Sequence, residues 1–174
     1  NGKQKSLSIT AIGTIGSIRI HRSHAMPGDY LVASGPHGLS RLGLSLLLNE
    51  PEIRKYKLKR SLKIDAISAH KRPNPPMHIV HKLKACKPKN VPLRAAGTDS
   101  SDGLIKAIEC ICKSSKCSAI IQRDNIPKHF YWPLGGFWEN WCINGGEDFE
   151  VVLSLPPEWA ECLTRDFPTF AVIG

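Results

Sequence analysis

The sequence predicts an α/β (α+β) fold, a sheet covered by helices, and three patterns carry that prediction. Short apolar runs at 30–33 and 149–155 have strand length and are bounded by Gly and Pro. Between them lie stretches with apolar residues three and four apart, the spacing of a helix that buries one face. The two kinds alternate along the chain, and that alternation layers helices on a sheet.

Taken in order, residues 6–13 alternate polar and apolar side chains and read as a strand. Ile18, Arg19 and Ile20 extend or follow it, and Pro27-Gly28 makes a turn. Residues 30–33 are a short buried strand, which leads through Ser34-Gly35-Pro36-His37-Gly38 into a helix with Leu39, Leu42, Leu46 and Leu47 on its apolar face. Strand, glycine turn and helix together aim amide N–H groups at an anion, although many purely structural links share that pattern. A basic helical stretch ends at Lys71-Arg72-Pro73-Asn74-Pro75-Pro76, where proline forbids its continuation. After Pro92 an acidic motif opens a helix whose stripe is Leu104, Ala107, Ile108, Ile111 and Cys112. Ala119-Ile120-Ile121 reads as a strand returning to the sheet. A further strand spans 149–155, and Pro156-Pro157 starts a helix running to about Arg165.

A chain of 174 residues, 41% hydrophobic and 22% charged, is one domain with a real core. No apolar run approaches the roughly 20 residues of a membrane span, and no signal-peptide core follows the first residues. With no initiating Met, the chain is expected to be a piece of a longer protein. The cysteines, at 86, 110, 112, 117, 142 and 162, lack both a disulfide framework and a CxxC pair. Reduced, mostly buried thiols in a cytosol are expected rather than zinc ligands. The net charge of +9 is uneven: 12 of the 24 Lys and Arg lie between Arg54 and Lys89, and 11 of the 15 acids at or after Asp99. The dense basic run at 54–63 could grip phosphates, but with Tyr56 as its one aromatic it reads as a solvated helix face.

The chemistry lies in two acidic motifs, Ala96-Gly97-Thr98-Asp99-Ser100-Ser101-Asp102-Gly103 and Asn144-Gly145-Gly146-Glu147-Asp148-Phe149-Glu150. Neither is a phosphate loop of the GxxxxGK[ST] kind. Asp99 and Asp102, three apart at a helix start, could be caps, since acids and serines satisfy orphan amides there. Two carboxylates on a glycine-flanked turn can instead bind Mg2+, which takes hard oxygen ligands and keeps waters and phosphate oxygens. In the second motif Asn-Gly signals a turn, while Glu147 could face a cationic or hydroxyl-bearing ligand. Trp132, Trp138 and Trp141 crowd one loop and are expected to pack there. None of the seven histidines is assigned as a base or metal ligand.

These residues resemble the carboxy-terminal half of the thiamine-monophosphate kinase family. The resemblance runs through His21-Arg22-Ser23-His24-Ala25-Met26-Pro27-Gly28-Asp29, the segment 34–40, Arg72-Pro73-Asn74-Pro75 and both acidic motifs. It implies a fold like the carboxy-terminal domain of aminoimidazole ribonucleotide synthetase. It also implies transfer of the ATP γ-phosphate to thiamine monophosphate, with Asp99 and Asp102 on Mg2+, Ser101 and Arg22 on ATP, and Glu147 on the thiamine phosphate. Residues 1–17 would then be the residual strand and linker of a missing amino-terminal ATP-binding domain, and 18–174 a kinase domain truncated at its end. The partners implied are that missing half and a second copy in a homodimer, the location a cytosol of cyanobacterial or plastid lineage, and the fragment alone is expected to be inactive. Thr98 stands where the family usually has Met. Two other readings stay open on the residues alone: a non-catalytic Mg–nucleotide or assembly module, and a nucleic-acid binder using 54–63.

Overall fold

The central strands are buried almost end to end, and their successive side chains enter two different clusters, which decides the architecture. The computed structural model describes residues 7–174. Strands β1 (Tyr30–Ala33), β2 (Ala96–Asp99), β3 (Val151–Leu155) and β4 (Ala171–Val172) form one antiparallel sheet in the order β2-β3-β1-β4. Helices α1 (Leu39–Leu48), α2 (Pro51–Arg54), α3 (Arg60–Lys71), α4 (Ile79–Cys86), α5 (Leu104–Ser115), α6 (Gly136–Asn144) and α7 (Pro157–Asp166) complete it. Successive strand side chains point to opposite faces. Leu31, Ala33 and Val152 join Leu42, Leu62, Leu104 and Trp138 in one core cluster, beneath α1, α3, α5 and α6. Val32, Leu153 and Leu155 join Leu83, Trp159 and Leu163 in a second, beneath α4 and α7. The sheet is therefore the middle of three layers.

The predicted stripe of α5 is observed, with Leu104, Ala107, Ile108 and Ile111 buried; Lys116 ends the helix in the left-handed region. Pro157 opens α7 at a position where a missing N–H costs nothing, and the Trp159 Nε1–H of that helix donates to the Leu83 carbonyl at 3.0 Å.

Several expectations fail. Over the described part of 6–13, residues 7–13, there is no strand: Leu7, Ile9 and Ile12 are exposed, because no described strand borders them to form a ladder; Ser6 lies outside the described residues. Residues 119–121 are not a strand either. Ile120 is exposed, and what ties this stretch to the sheet edge is the Gln122 amide donating to Ile173 O at 2.7 Å, beside a β4 of two residues. β3 begins at Val151 rather than 149 because Glu147 and Phe149 adopt positive φ (66° and 55°), which a strand cannot contain. Leu47 is exposed rather than part of the apolar face of α1. Helices α4 and α6 were not anticipated, and Trp138 and Trp141 lie on α6 rather than in a loop.

Candidate functional site

The two acidic motifs meet at one edge of the sheet. Asp99, the last residue of β2, pairs with Val151. Beyond the ladder, the Ser100 amide donates to Glu150 O at 2.8 Å and the Glu147 amide to Ser101 O at 2.7 Å. Glycine is required at this contact. A Cβ on Gly146 would lie 2.7 Å from Ser101 O, and one on Gly103, at φ +101°, would lie 3.1 Å from Asn144 O.

Arg22, Thr98, Asp99, Ser101, Asp102 and Lys106 border one small cleft beside this double loop. The Arg22 Nε–H donates to Thr98 Oγ1 at 3.0 Å, and the same hydroxyl donates to Asp99 Oδ1 at 3.2 Å. Thr98 thus ties the arginine to the carboxylate, which the thioether of Met could not do. Arg22 is fixed from behind by Ser115, whose hydroxyl donates to Arg22 O at 2.8 Å and accepts from the Ala25 amide at 3.1 Å. Arg94 holds the end of that segment through two 2.6 Å hydrogen bonds to the Asp29 carboxylate. The Ser101 hydroxyl, helped by Thr98 and nearby amides, holds the Asp99 carboxyl below its ordinary range. Among the described residues no group of three His, Cys, Asp or Glu side chains could cage a metal. Mg2+ needs only one or two protein carboxylates when phosphate oxygens and waters fill its shell. The donor pair Asp99 and Asp102 fits an ion of that kind.

Glu147 sits in the left-handed region with its side chain largely exposed, Oε2 3.3 Å from His70 Nδ1. Its neighbour Asp148 turns inward. Asp148 accepts from the Gly38 amide at 2.6 Å and the Ser40 amide at 2.9 Å, which makes it the cap of α1 from 110 residues away. The glycine turn before α1 therefore does aim its amides at an anion, and that anion belongs to the chain itself. Burial outweighs those amides and pushes Asp148 up to about 6. On the other side of the turn His37 is fully buried, with the Gly35 carbonyl 3.0 Å from Nδ1 and Ser100 Oγ 3.1 Å from Nε2. Since a carbonyl can only accept, Nδ1 carries the proton. Burial drives this imidazole down to about 4. The sequence did not single out Asp148, His37 or Glu150 for these roles; the Glu-Asp-Phe-Glu spacing was the available signal.

The two shifts act oppositely on stability. His37, depressed in the fold, gives stability that is present near pH 6.5 and lost as pH falls toward 4. Asp148, raised in the fold, gives stability that is present below about 4 and lost as pH rises toward 6. Each spans about two pH units, or about 3 kcal/mol. Urea midpoints measured from pH 4 to 7 should therefore tilt in opposite senses. Relative to wild type, His37→Gln becomes progressively less stable with rising pH, and Asp148→Asn progressively more stable. Parallel profiles for the three proteins would refute this balance.

The remaining candidates are structural. All six cysteines are free, but against the expectation of mostly buried thiols Cys86 and Cys142 are buried while Cys110, Cys112, Cys117 and Cys162 are only half-buried. Trp138 packs edge-on against Trp132, Trp141 and Tyr56, at 5.8, 5.3 and 4.9 Å between ring centres. In the basic run, Arg54 bonds to Asn49, and Lys55 and Lys59 lie over Tyr56 and Tyr131.

No family model matches the chain. The chain is 54% identical over 174 residues to a thiamine-monophosphate kinase of Prochlorococcus marinus, covering 100% of this chain and 52% of the relative. It is 40% identical over 159 residues to a thiamine-monophosphate kinase of Synechococcus elongatus, covering 91% and 47%. Among solved structures, AaThiL complexed with AMPPCP and TMP has the same fold, with a TM-score of 0.70 at 24% identity over 89% of this chain and 47% of that one. The chain spans about half the length of the curated relatives it matches.

Proposed function

We propose that this chain is the carboxy-terminal part of a thiamine-monophosphate kinase, which moves the ATP γ-phosphate to thiamine monophosphate and yields thiamine diphosphate. The observation that carries this reading is the meeting of the two acidic motifs, 2.7 Å apart backbone to backbone, beside a cleft holding Arg22 and both aspartates. Similarity to thiamine-monophosphate kinases along the whole chain supports it. Residues 1–17 then lead from an amino-terminal ATP-binding domain and 18–174 form the second domain. The full polypeptide works as a homodimer in a cytosol. No described helix is long and apolar enough to cross a membrane.

The assigned roles follow from charge. Phosphoryl transfer asks a protein for positioning and charge neutralisation rather than for a nucleophile. Asp99 and Asp102 would hold Mg2+, which would supply positive charge to offset that of the phosphates. Arg22, locked by Thr98 and Ser115, points a guanidinium at the ATP phosphates, and Ser101 contacts the same nucleotide. Glu147, exposed beside His70, would contact the thiamine monophosphate.

The full-length polypeptide, given ATP, Mg2+ and thiamine monophosphate, should form thiamine diphosphate, and the 174-residue chain alone should not. Chromatographic detection of the product decides it. A full-length polypeptide that leaves thiamine monophosphate untouched refutes the kinase reading; turnover by the chain alone refutes the need for the other half.

A further inference from the structure

Two cysteines meet at the carboxy-terminal end of α5. Lys116 takes the left-handed conformation, at φ 55°, and the amides of Lys116 and Cys117 both donate to the Cys112 carbonyl, the second at 3.0 Å. In a helix end closed this way, the side chains of the two residues joined by the longer bond pack on each other. Those residues are Cys112 and Cys117, and both are half-buried against the same core cluster. Standard bond lengths put their Cα atoms within about 7 Å of each other, which a disulfide can span. Burial and the neighbouring Cys117 raise the Cys112 thiol above its ordinary range. Cys110, a little over half a turn away, borders the cleft with Arg22 instead.

Between the two cysteines lies Ser115. Its hydroxyl donates to Arg22 O at 2.8 Å and accepts from the Ala25 amide at 3.1 Å, so this turn ties α5 to the segment that presents Arg22 to the cleft. Helix ends fray. Here a lysine, rather than the glycine that such a position favours, holds the left-handed conformation. In the dithiol form the turn is closed by two amides on one carbonyl. A covalent link across residues 113–116 stops the fraying and keeps Ser115 against the Arg22 segment.

We propose that Cys112 and Cys117 are a reversible redox site, forming a disulfide that pins Ser115 and through it the arginine of the cleft. The oxidant is itself a disulfide, carried by a small thiol compound or by a protein. One cysteine thiolate attacks it and releases the first thiol; the second cysteine then displaces the other half. Two cysteine S–H bonds and the oxidant's S–S bond are thereby exchanged for one new S–S bond and two released thiols, and a dithiol reductant reverses the step. In a reducing compartment such a bridge is transient and reports oxidation. On the kinase reading, on which the nucleotide effect alone rests, the oxidised polypeptide holds ATP more tightly.

The full-length polypeptide, equilibrated with oxidised glutathione and then alkylated, tests this by tryptic mapping. Cleavage after Lys106, Lys113, Lys116 and Arg123 gives peptides 107–113 and 117–123. They should appear as one disulfide-linked species that dithiothreitol separates. Cys110→Ser should keep the link and Cys112→Ser should lose it, which identifies the cysteine of 107–113 that is used. Amide hydrogens of residues 22–25 should exchange about threefold more slowly after oxidation, and Ser115→Ala should abolish that difference. The KM for ATP should fall by a similar factor. Absence of the linked peptide, or a link made through Cys110, overturns the site. A linked peptide with unchanged exchange at 22–25 overturns its hold on Arg22. Slowed exchange in a full-length polypeptide without kinase activity keeps the redox site and discards the kinase.

Discussion

Asp99→Asn in the full-length polypeptide should lower the rate of thiamine diphosphate formation by about a hundred- to a thousandfold, the scale of removing one preorganised charge-stabilising group from a transition state. The change is small in volume, and Asp99 lies at an exposed strand end. The melting temperature should therefore stay within about 2 °C of wild type, consistent with a surface substitution. Asp102→Asn should cost a similar factor. If both carboxylates hold the same ion, the double variant should lose little more than either single one, because groups acting as a unit are not additive. Both should also raise the Mg2+ concentration needed for half-maximal rate. Thr98→Val separates holding the ion from aiming the arginine: it removes the hydroxyl between Arg22 and Asp99 but leaves both charges. Its effect should fall mainly on the KM for ATP. Unchanged kinetics in Asp99→Asn would mean that the two acidic motifs meet for structural reasons alone, as a capped turn bonded to a loop.

What could be read from the residues was whatever depends on near neighbours. The stripe of α5 and the proline start of α7 follow from spacing and from the missing N–H of proline, and both appear as expected. Residues 7–13 carry the same alternation as a true strand, but alternation describes a side-chain pattern and not a partner, and no described strand borders them. α6 was hidden because Phe137, Trp138 and Trp141 are packed on several sides and give no clean apolar stripe. In the site, the acids were legible as acids, but their division of labour was not. That Asp148 caps α1 across 110 residues, while Glu147 faces outward and Glu150 faces a cavity, depends on two positive-φ residues that reverse the chain at 147 and 149. No local rule distinguishes three carboxylates within four positions.

Gly43→Val should be the most damaging single change to the fold. α1 and α3 cross at Gly43, where a Cβ would sit 2.1 Å from the Ala66 carbonyl oxygen and 2.8 Å from His70 Cβ. Helix propensity alone favours replacing a mid-helix glycine, by about 1 kcal/mol for Ala. Contact with a backbone carbonyl cannot be relieved by a rotamer change, so the two helices must separate, and overpacking of this kind costs about 3 kcal/mol for a β-branched residue. For a chain of this size that lowers the melting temperature by roughly 6–12 °C. Gly13→Val, at a position with nothing within 4 Å, should change it little. The damage should also reach the site. His70, one turn beyond Ala66 on α3, has Nδ1 3.0 Å from Ser40 Oγ at the first turn of α1 and 3.3 Å from Glu147. Moving α3 outward breaks both contacts at once. Gly43→Val protein, assayed below its own melting temperature, should therefore show a raised KM for thiamine monophosphate. A melting temperature equal to that of Gly13→Val would show that the close crossing of α1 and α3 does not exist in solution.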